Sequence, residues 1–340
     1  MAEAAFVSCG GTAAPQARRR EVVVKGKRVK TVDVHAHCAV PAAMALLGRA
    51  LETEALLMSS TADRIRAMDE QGIDVEALSI NPYWYTADRD VASKLIQLQN
   101  ETLAEICAAQ PDRFVAFATV ALQHPDLAVG QLEQGVKKYG LRGAGLGGSV
   151  DGLELSDPKF HPFWAKAEQL GVLVFIHPLG TAELEKTGRL AGNGLLTNTI
   201  GNPLETTIAL SHLIFEGTLD RFPGLKIVSA HGGGYLPHYA DRSDHACLTN
   251  PAGCDPNIKL KKKPTEYLKQ LYFDSLIFSP EALRHLAAQV GVSQIMLGSD
   301  HPYPWQDRPV DAVMATTSLN DDEKIAILSG NAARVFNFTM

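Results

Sequence analysis

His35 and His37, in the run Val32-Asp33-Val34-His35-Ala36-His37, are the first residues of the chain whose types and spacing can do chemistry. The run reads as a short buried strand, and side chains two apart on a strand share a face. Two imidazoles side by side can bind one divalent metal through neutral nitrogens. The pair alone would equally suit one surface histidine and one buried, hydrogen-bonded one. Further along, the apolar run 172–176 leads straight into His177, and 226–230 leads into His231. Asp300 follows the run 295–297 in Gly298-Ser299-Asp300. Five metal-competent side chains at the ends of four separate runs point to a metal centre.

The elements that must position these residues alternate regularly. Strands are predicted at 32–34, 75–80, 114–119, 143–146, 172–176, 226–230, 271–274 and 295–297. Helices are predicted at 61–71 (with Ser60 as its cap), 88–109, 125–138, 158–170, 203–215, from near Pro280, and at 310–318 and 321–328. Eight strand–helix units without a composition break predict an α/β fold, a single (β/α)8 TIM barrel over residues 25–340, with 1–24 as a loosely ordered tail. In such a barrel the strand C-termini open onto one face, so His35, His37, His177, His231 and Asp300 converge on one mouth. The long glycine-containing loop 179–202 is expected to act as a lid.

Composition narrows the partners. The chain has 340 residues, 46% hydrophobic and 21% charged, with a net charge of -6, as expected of a globular protein with a large core. The basic run Lys259-Leu260-Lys261-Lys262-Lys263 is expected on a solvated loop, which argues against nucleic acid as a partner. Cys9, Cys38, Cys107, Cys247 and Cys254 are odd in number and scattered, fitting a reduced intracellular compartment better than a disulfide framework. The N-terminal segment lacks a secretory pattern, and no apolar run approaches the ~20 residues of a membrane span. A cytoplasmic protein without membrane contact is expected.

Five stretches carry a family resemblance: Asp33-Val34-His35-Ala36-His37, Arg64-Ile65-Arg66-Ala67-Met68-Asp69, Gly201-Asn202-Pro203-Leu204-Glu205-Thr206-Thr207, Ser229-Ala230-His231-Gly232-Gly233-Gly234 and Gly298-Ser299-Asp300-His301-Pro302. In these the chain resembles the amidohydrolase superfamily, in the amidohydrolase 2 branch typified by 2-amino-3-carboxymuconate-6-semialdehyde decarboxylase. The resemblance implies that His35, His37, His177 and Asp300 hold the metal, usually zinc with manganese as the alternative, while His231 stands beside it as a catalytic residue. Superfamily members with two metals carry a lysine at the end of the fourth strand. Here that strand reads Gly143-Ala144-Gly145-Leu146-Gly147, so a single ion is expected.

Other motifs fall away. Gly143-x-Gly145-x-x-Gly148 has the spacing of a dinucleotide loop but runs into Ser149-Val150-Asp151-Gly152, without a helix to receive a pyrophosphate. Gly232-Gly233-Gly234 lacks the Lys-Ser/Thr of a phosphate loop. Cys38 is expected to be buried and facing away from the histidine pair. His124, His161, His212 and His285 fall on predicted helices or their starts and read as structural or exposed; His238 and His245 remain open.

A metal with a nearby histidine can serve hydrolysis, hydration or decarboxylation, with His231 and Asp300 handling protons. A carboxylate substrate asks for a guanidinium. Arg49, after the first strand, and Arg242, after the sixth, are the candidates, and Arg49 could equally be an exposed helix arginine. The resemblance places Arg242 where related enzymes carry a substrate-carboxylate arginine across a dimer interface. The expected activity is metal-dependent, non-oxidative decarboxylation of a small conjugated or aromatic carboxylic acid in catabolism, by a homodimer or higher homo-oligomer. The alternatives are hydrolysis of a lactone or carboxylic ester, and hydration of an unsaturated dicarboxylate.

Overall fold

The computed structural model describes residues 19–58 and 61–337. Its centre is eight short parallel strands: β1 Val32–His37, β2 Val75–Ser79, β3 Phe114–Ala116, β4 Gly143–Leu146, β5 Leu173–Ile176, β6 Lys226–Ser229, β7 Tyr272–Asp274 and β8 Ile295–Met296. Seven of the eight strands are apolar or small for most of their length; of all eight, six are buried at every residue and two at all but the first. Full burial on both faces is what a parallel barrel wall demands. They form two arcs, β1-β2-β3 and β4-β5-β6-β7-β8. At one seam Ala118 bridges Ala144, with Gly145 N–H donating to Ala118 O at 3.0 Å. At the other, Ala36 bridges His301, and Val34 N–H donates to Leu297 O at 2.9 Å.

Helices alternate with the strands, among them α1 Thr61–Gln71, α2 Arg89–Ala109, α3 Pro125–Lys137, α4 His161–Leu170, α5 Asn202–Phe215, α6 Asp241–Thr249 and α7 Pro280–Val290. Their starts have readable causes: Asp88 caps α2 by accepting from Val91 N–H, Ser279 caps α7, and Pro occupies the first turn of α3, α4, α5 and α7. The Ser60 cap expected for α1 lies outside the described residues. The large core lies between strands and helices. A smaller cluster that includes Val34, Phe117, Phe175, Met296 and Phe336 underlies the mouth. There the Phe175 ring stacks on Phe117 at 5.5 Å and meets the His35 ring at 5.0 Å.

Several expectations are corrected. The tail predicted over 1–24 is too long: Val22–Val24 pairs antiparallel with Lys27–Val29, and Val22 and Val24 are buried. Arg19 and Arg20, read as loose polar residues, are ion-paired to Asp74 and Asp311. The final helices are broken differently, as Pro309–Met314, Asp321–Ile325, a π-helical turn Ala326–Gly330 and Asn331–Phe336. The cysteine reading is also overturned. Cys247 at the end of α6 is bonded to Cys254, because the short turn Pro251–Gly253 returns the chain to within 5.8 Å between the two Cα atoms. Cys38 and Cys107 are free, and Cys9 lies outside the described residues. Lys259, Lys261, Lys262 and Lys263 are exposed, as expected. Among the described residues no helix is long and apolar enough to cross a membrane.

Candidate metal centre at the barrel mouth

The five side chains singled out in the sequence do meet. The His35 ring lies 5.0 to 5.1 Å from the rings of His37, His177 and His231. His35 Nε2 and His37 Nε2 are 3.1 Å apart, and Asp300 Oδ1 is 3.2 Å from the first and 2.9 Å from the second. His231 Nε2 stands 3.7 Å from Asp300 Oδ2. One ligand atom each from His35, His177, His231 and Asp300 falls within 4.8 Å of all the others. His231 is thus nearer to a ligand position than the sequence reading placed it, while His37 packs against the same Asp300 oxygen.

Backbone strain accompanies this convergence. His231 (φ 54°) and Asp300 (φ 66°) both occupy the left-handed region, where non-glycine residues persist only when their surroundings hold them. Asp274, fully buried at the end of β7, is the holder for His231. Its Oδ2 accepts from His231 N–H at 2.9 Å and its Oδ1 from Gly232 N–H at 2.9 Å and Leu276 N–H at 3.1 Å. The same Oδ2 lies 2.5 Å from His35 Nδ1. That contact leaves Nε2 of His35 to face the centre, the usual arrangement behind a metal-binding histidine. Ser79 Oγ performs the same service for His37 Nδ1 at 3.0 Å. For Asp300, its own N–H donates to His35 O at 2.9 Å.

Below this lies a buried charged layer. Arg64, from α1, binds Glu76 Oε2 at 2.7 Å and His37 O at 2.8 Å. Glu76 Oε1 receives His301 Nδ1 at 2.6 Å, and Ser299 Oγ donates to Asp33. Sequence reasoning missed Asp274, Ser79, Glu76 and His301 as supporting groups. The one available signal was position: Asp274 ends a strand, as the histidines do.

The electrostatics suit a metal. Both His177 ring nitrogens, and Nδ1 of His231, are buried without a hydrogen-bond partner. Burial, then the neighbouring imidazoles, holds His177 well below its ordinary pKa, in the neutral ligating form. Burial works against charge on Asp300, yet His35 and the other histidines outweigh it and hold the carboxyl well below its usual range. Neutral His177 and His37, an ionised carboxylate and unpartnered buried nitrogens are what a divalent cation requires, so the donor set fits one. Burial works against charge on His35, yet Asp300 and Asp274 outweigh it and push it up to about 10, so a bound ion would displace that proton. At strand four there is no lysine to hold a second ion.

A cavity of about 1060 Å³ opens above the centre, lined by His37, His177 and Asp300 below and by Tyr83, Tyr303 and Trp305 on its walls. Arg49 also lines it, exposed rather than helical, with its guanidinium 5.9 Å from the Tyr83 ring centroid. Arg242 is exposed in the first turn of α6 and is not part of this lining. Cys38 is buried, and burial pushes its thiol up to about 12, so it is no thiolate. Ser149–Val150 forms a small hairpin with Leu153–Glu154, which confirms that no helix follows the Gly143–Gly148 spacing. Of the remaining histidines, His124 starts α3, His161 starts α4 against Phe222, and His238 stacks on His285 at 5.3 Å. His212 lies half-exposed on α5, and His245 is exposed on α6.

A parallel barrel with three or four imidazoles and one carboxylate at its strand ends defines the class of divalent-metal barrel enzymes. The chain belongs to the Amidohydrolase family, which matches residues 32–338. It is similar to the 2-amino-3-carboxymuconate-6-semialdehyde decarboxylase of Dictyostelium discoideum, 29% identical over 304 residues that cover 88% of this chain and 83% of the relative. It is similar also to the gamma-resorcylate decarboxylase of Rhodococcus jostii, 30% identical over 300 residues, 84% of this chain and 90% of the relative. Among solved structures it resembles the dihydroxybenzoic acid decarboxylase of Polaromonas sp. JS666 with bound manganese and the inhibitor 2-nitroresorcinol. There the TM-score is 0.76 at 26% identity, covering 91% of this chain and 97% of that one. The chain is accordingly an enzyme of the carboxy-lyase type within the amidohydrolase superfamily.

Proposed function

We infer that the protein removes carbon dioxide from a small aromatic or conjugated carboxylic acid without an oxidant, using one divalent ion, with zinc as the first expectation and manganese as the alternative. The observation that carries this reading is the joining of a metal-competent donor set to an aromatic-walled cavity with a guanidinium at its rim. His35, His37, His177 and Asp300 would hold the ion. When bound, it supplies Lewis acidity toward substrate oxygens.

The protein's own groups do the rest. Tyr83, Tyr303 and Trp305 give a flat substrate apolar walls and exclude water. Arg49 offers paired donors to a carboxylate. Loss of carbon dioxide leaves an electron pair on carbon, and a proton must replace the carboxyl. His231, with its Nε2 toward Asp300, is the group that holds and delivers that proton, while the ionised Asp300 steadies the imidazolium form. Arg242, exposed outside the lining of its own cavity, serves the site of a second copy, which makes the working enzyme at least a dimer. The substrate is taken up directly, without nucleic acid or membrane. The cytoplasmic placement loses its cysteine argument to the Cys247–Cys254 bond.

His231→Ala tests the central role. The variant is expected to keep its metal, measured by elemental analysis, and to lose on the order of a hundredfold or more in rate. Loss of the metal would instead make His231 a ligand, in keeping with its place in the four-atom cluster.

A further inference from the structure

The loop 179–202 forms one wall of the cavity, through Leu179, Ala182, Leu195, Asn198 and Asn202. It leaves β5 only two residues after His177, so how its stem is held bears on both the mouth and the metal centre. Its stem is not held by backbone pairing. Leu179 N–H and Gly180 N–H both donate to one oxygen, Oε2 of Glu205, the second at 2.7 Å. Glu205 lies in the first turn of α5 and is only 6% exposed. Its other oxygen receives Ser149 Oγ at 3.4 Å, from the loop after β4.

The glycines after β4 explain how this carboxylate fits. A Cβ at Gly148 would stand 2.8 Å from both Cγ and Cδ of Glu205, and a Cβ at Gly147 would stand 2.5 Å from Leu179 Cδ1. Neither glycine has a positive φ, so the requirement is space and not backbone conformation. The Gly143–Gly148 spacing, which runs into a hairpin and not a helix, here clears room for a side-chain clasp.

We propose that Glu205 is the positioning residue of this active site: its buried carboxylate clasps the Leu179–Gly180 stem of the 179–202 loop to α5 and the β4 loop, and so sets the substrate-binding wall beside His177. A carboxylate is suited to this because it accepts at both oxygens and donates at neither. Two convergent backbone N–H groups ask for such an acceptor, and burial makes its loss costly. The role deepens the decarboxylase reading and rests on it for the kinetic part only.

The test therefore joins kinetics to a readout that needs no turnover. Lys186 and Arg189 are exposed in the loop, so trypsin cleavage there reports how firmly the stem is held. In Glu205→Ala, cleavage at these two sites should rise at least about tenfold. KM should rise about tenfold with a smaller change in kcat, because a wall that binds substrate and transition state alike has been loosened. Metal content should stay at that of the wild type. Glu205→Gln keeps one oxygen for the two N–H groups and can turn its amide toward Ser149 Oγ, so it should stay within about threefold of wild type in both readouts. Gly148→Ala, which crowds the carboxylate from the opposite side, should reproduce the alanine phenotype and serves if Glu205→Ala does not fold. The proposal is overturned if loop cleavage in both Glu205→Ala and Gly148→Ala matches wild type, if cleavage rises equally at sites outside 179–202, or if Glu205→Gln is as impaired as alanine. Loosened loop cleavage in a protein with no decarboxylase activity would uphold the clasp and reject the reaction instead.

Discussion

At the scale of single residues, the centre depends on a carboxylate that never faces substrate. Asp274 spends one oxygen on His35 Nδ1 and His231 N–H together, and the other on Gly232 N–H and Leu276 N–H. It thereby fixes His35, a proposed ligand, and the strained turn of His231 with one group. Asp274→Asn preserves shape, but places an amide N–H2 where an acceptor is needed. Supporting carboxylates of this kind are typically worth ten- to a hundredfold in metal affinity. The variant should therefore bind its ion about tenfold or more weakly, read by competition with a chromogenic chelator; unchanged affinity would reduce Asp274 to a packing role. His35, His37, His177, His231 and Asp300 were legible in the sequence because each stands at or just past the end of an apolar run. Asp274 stands at such an end too, yet a carboxylate that ligates and one that supports a ligand look alike until their directions are known.

At the scale of elements, the barrel alternation was legible because parallel strands buried on both faces read as continuous apolar runs. What was not legible depends on contacts distant in sequence. The N-terminal hairpin packs Val22, Val24 and Val29 into the core, and just ahead of it Arg19 and Arg20 reach Asp74 and Asp311, partners 55 and 291 residues away. Composition sees there only a basic stretch. In α1, Arg64 stands in a stretch that carries the family resemblance, yet its partners were not legible: its guanidinium is buried and ties α1 to β1 at His37 O and to β2 at Glu76. Removing one partner of such a buried pair leaves an uncompensated charge, which explains why an arginine is kept beneath the centre. The Cys247–Cys254 bond escaped notice because a seven-residue separation on scattered cysteines has no distinctive spacing, and only the turn at Pro251–Gly253 brings the two together.

At the scale of the whole molecule, the position of Arg242 bears on how many chains make a site. Arg242 is exposed on α6 outside its own cavity, and Tyr239 and Leu248, close by in the chain, are also exposed, at 70% and 79%. A guanidinium beside uncovered apolar residues suits a face that meets a second copy. Arg242→Ala and His231→Ala should each be nearly inactive alone. Mixed in equal amounts and allowed to exchange, they should recover about a quarter of wild-type activity, since half the dimers are mixed and each holds one complete site. No recovery after verified exchange would confine Arg242 to its own chain or to no role. The central claim, that this barrel expels carbon dioxide and returns a proton, is tested most directly by isotopic accounting. Carboxyl-labelled hydroxybenzoic acids are incubated with metal-loaded enzyme in deuterated water. Turnover of at least one should release one labelled carbon dioxide per substrate consumed and leave one deuterium on the vacated carbon. Product that retains the carboxyl label, or no turnover of any of these acids by fully metal-loaded protein, would contradict the account.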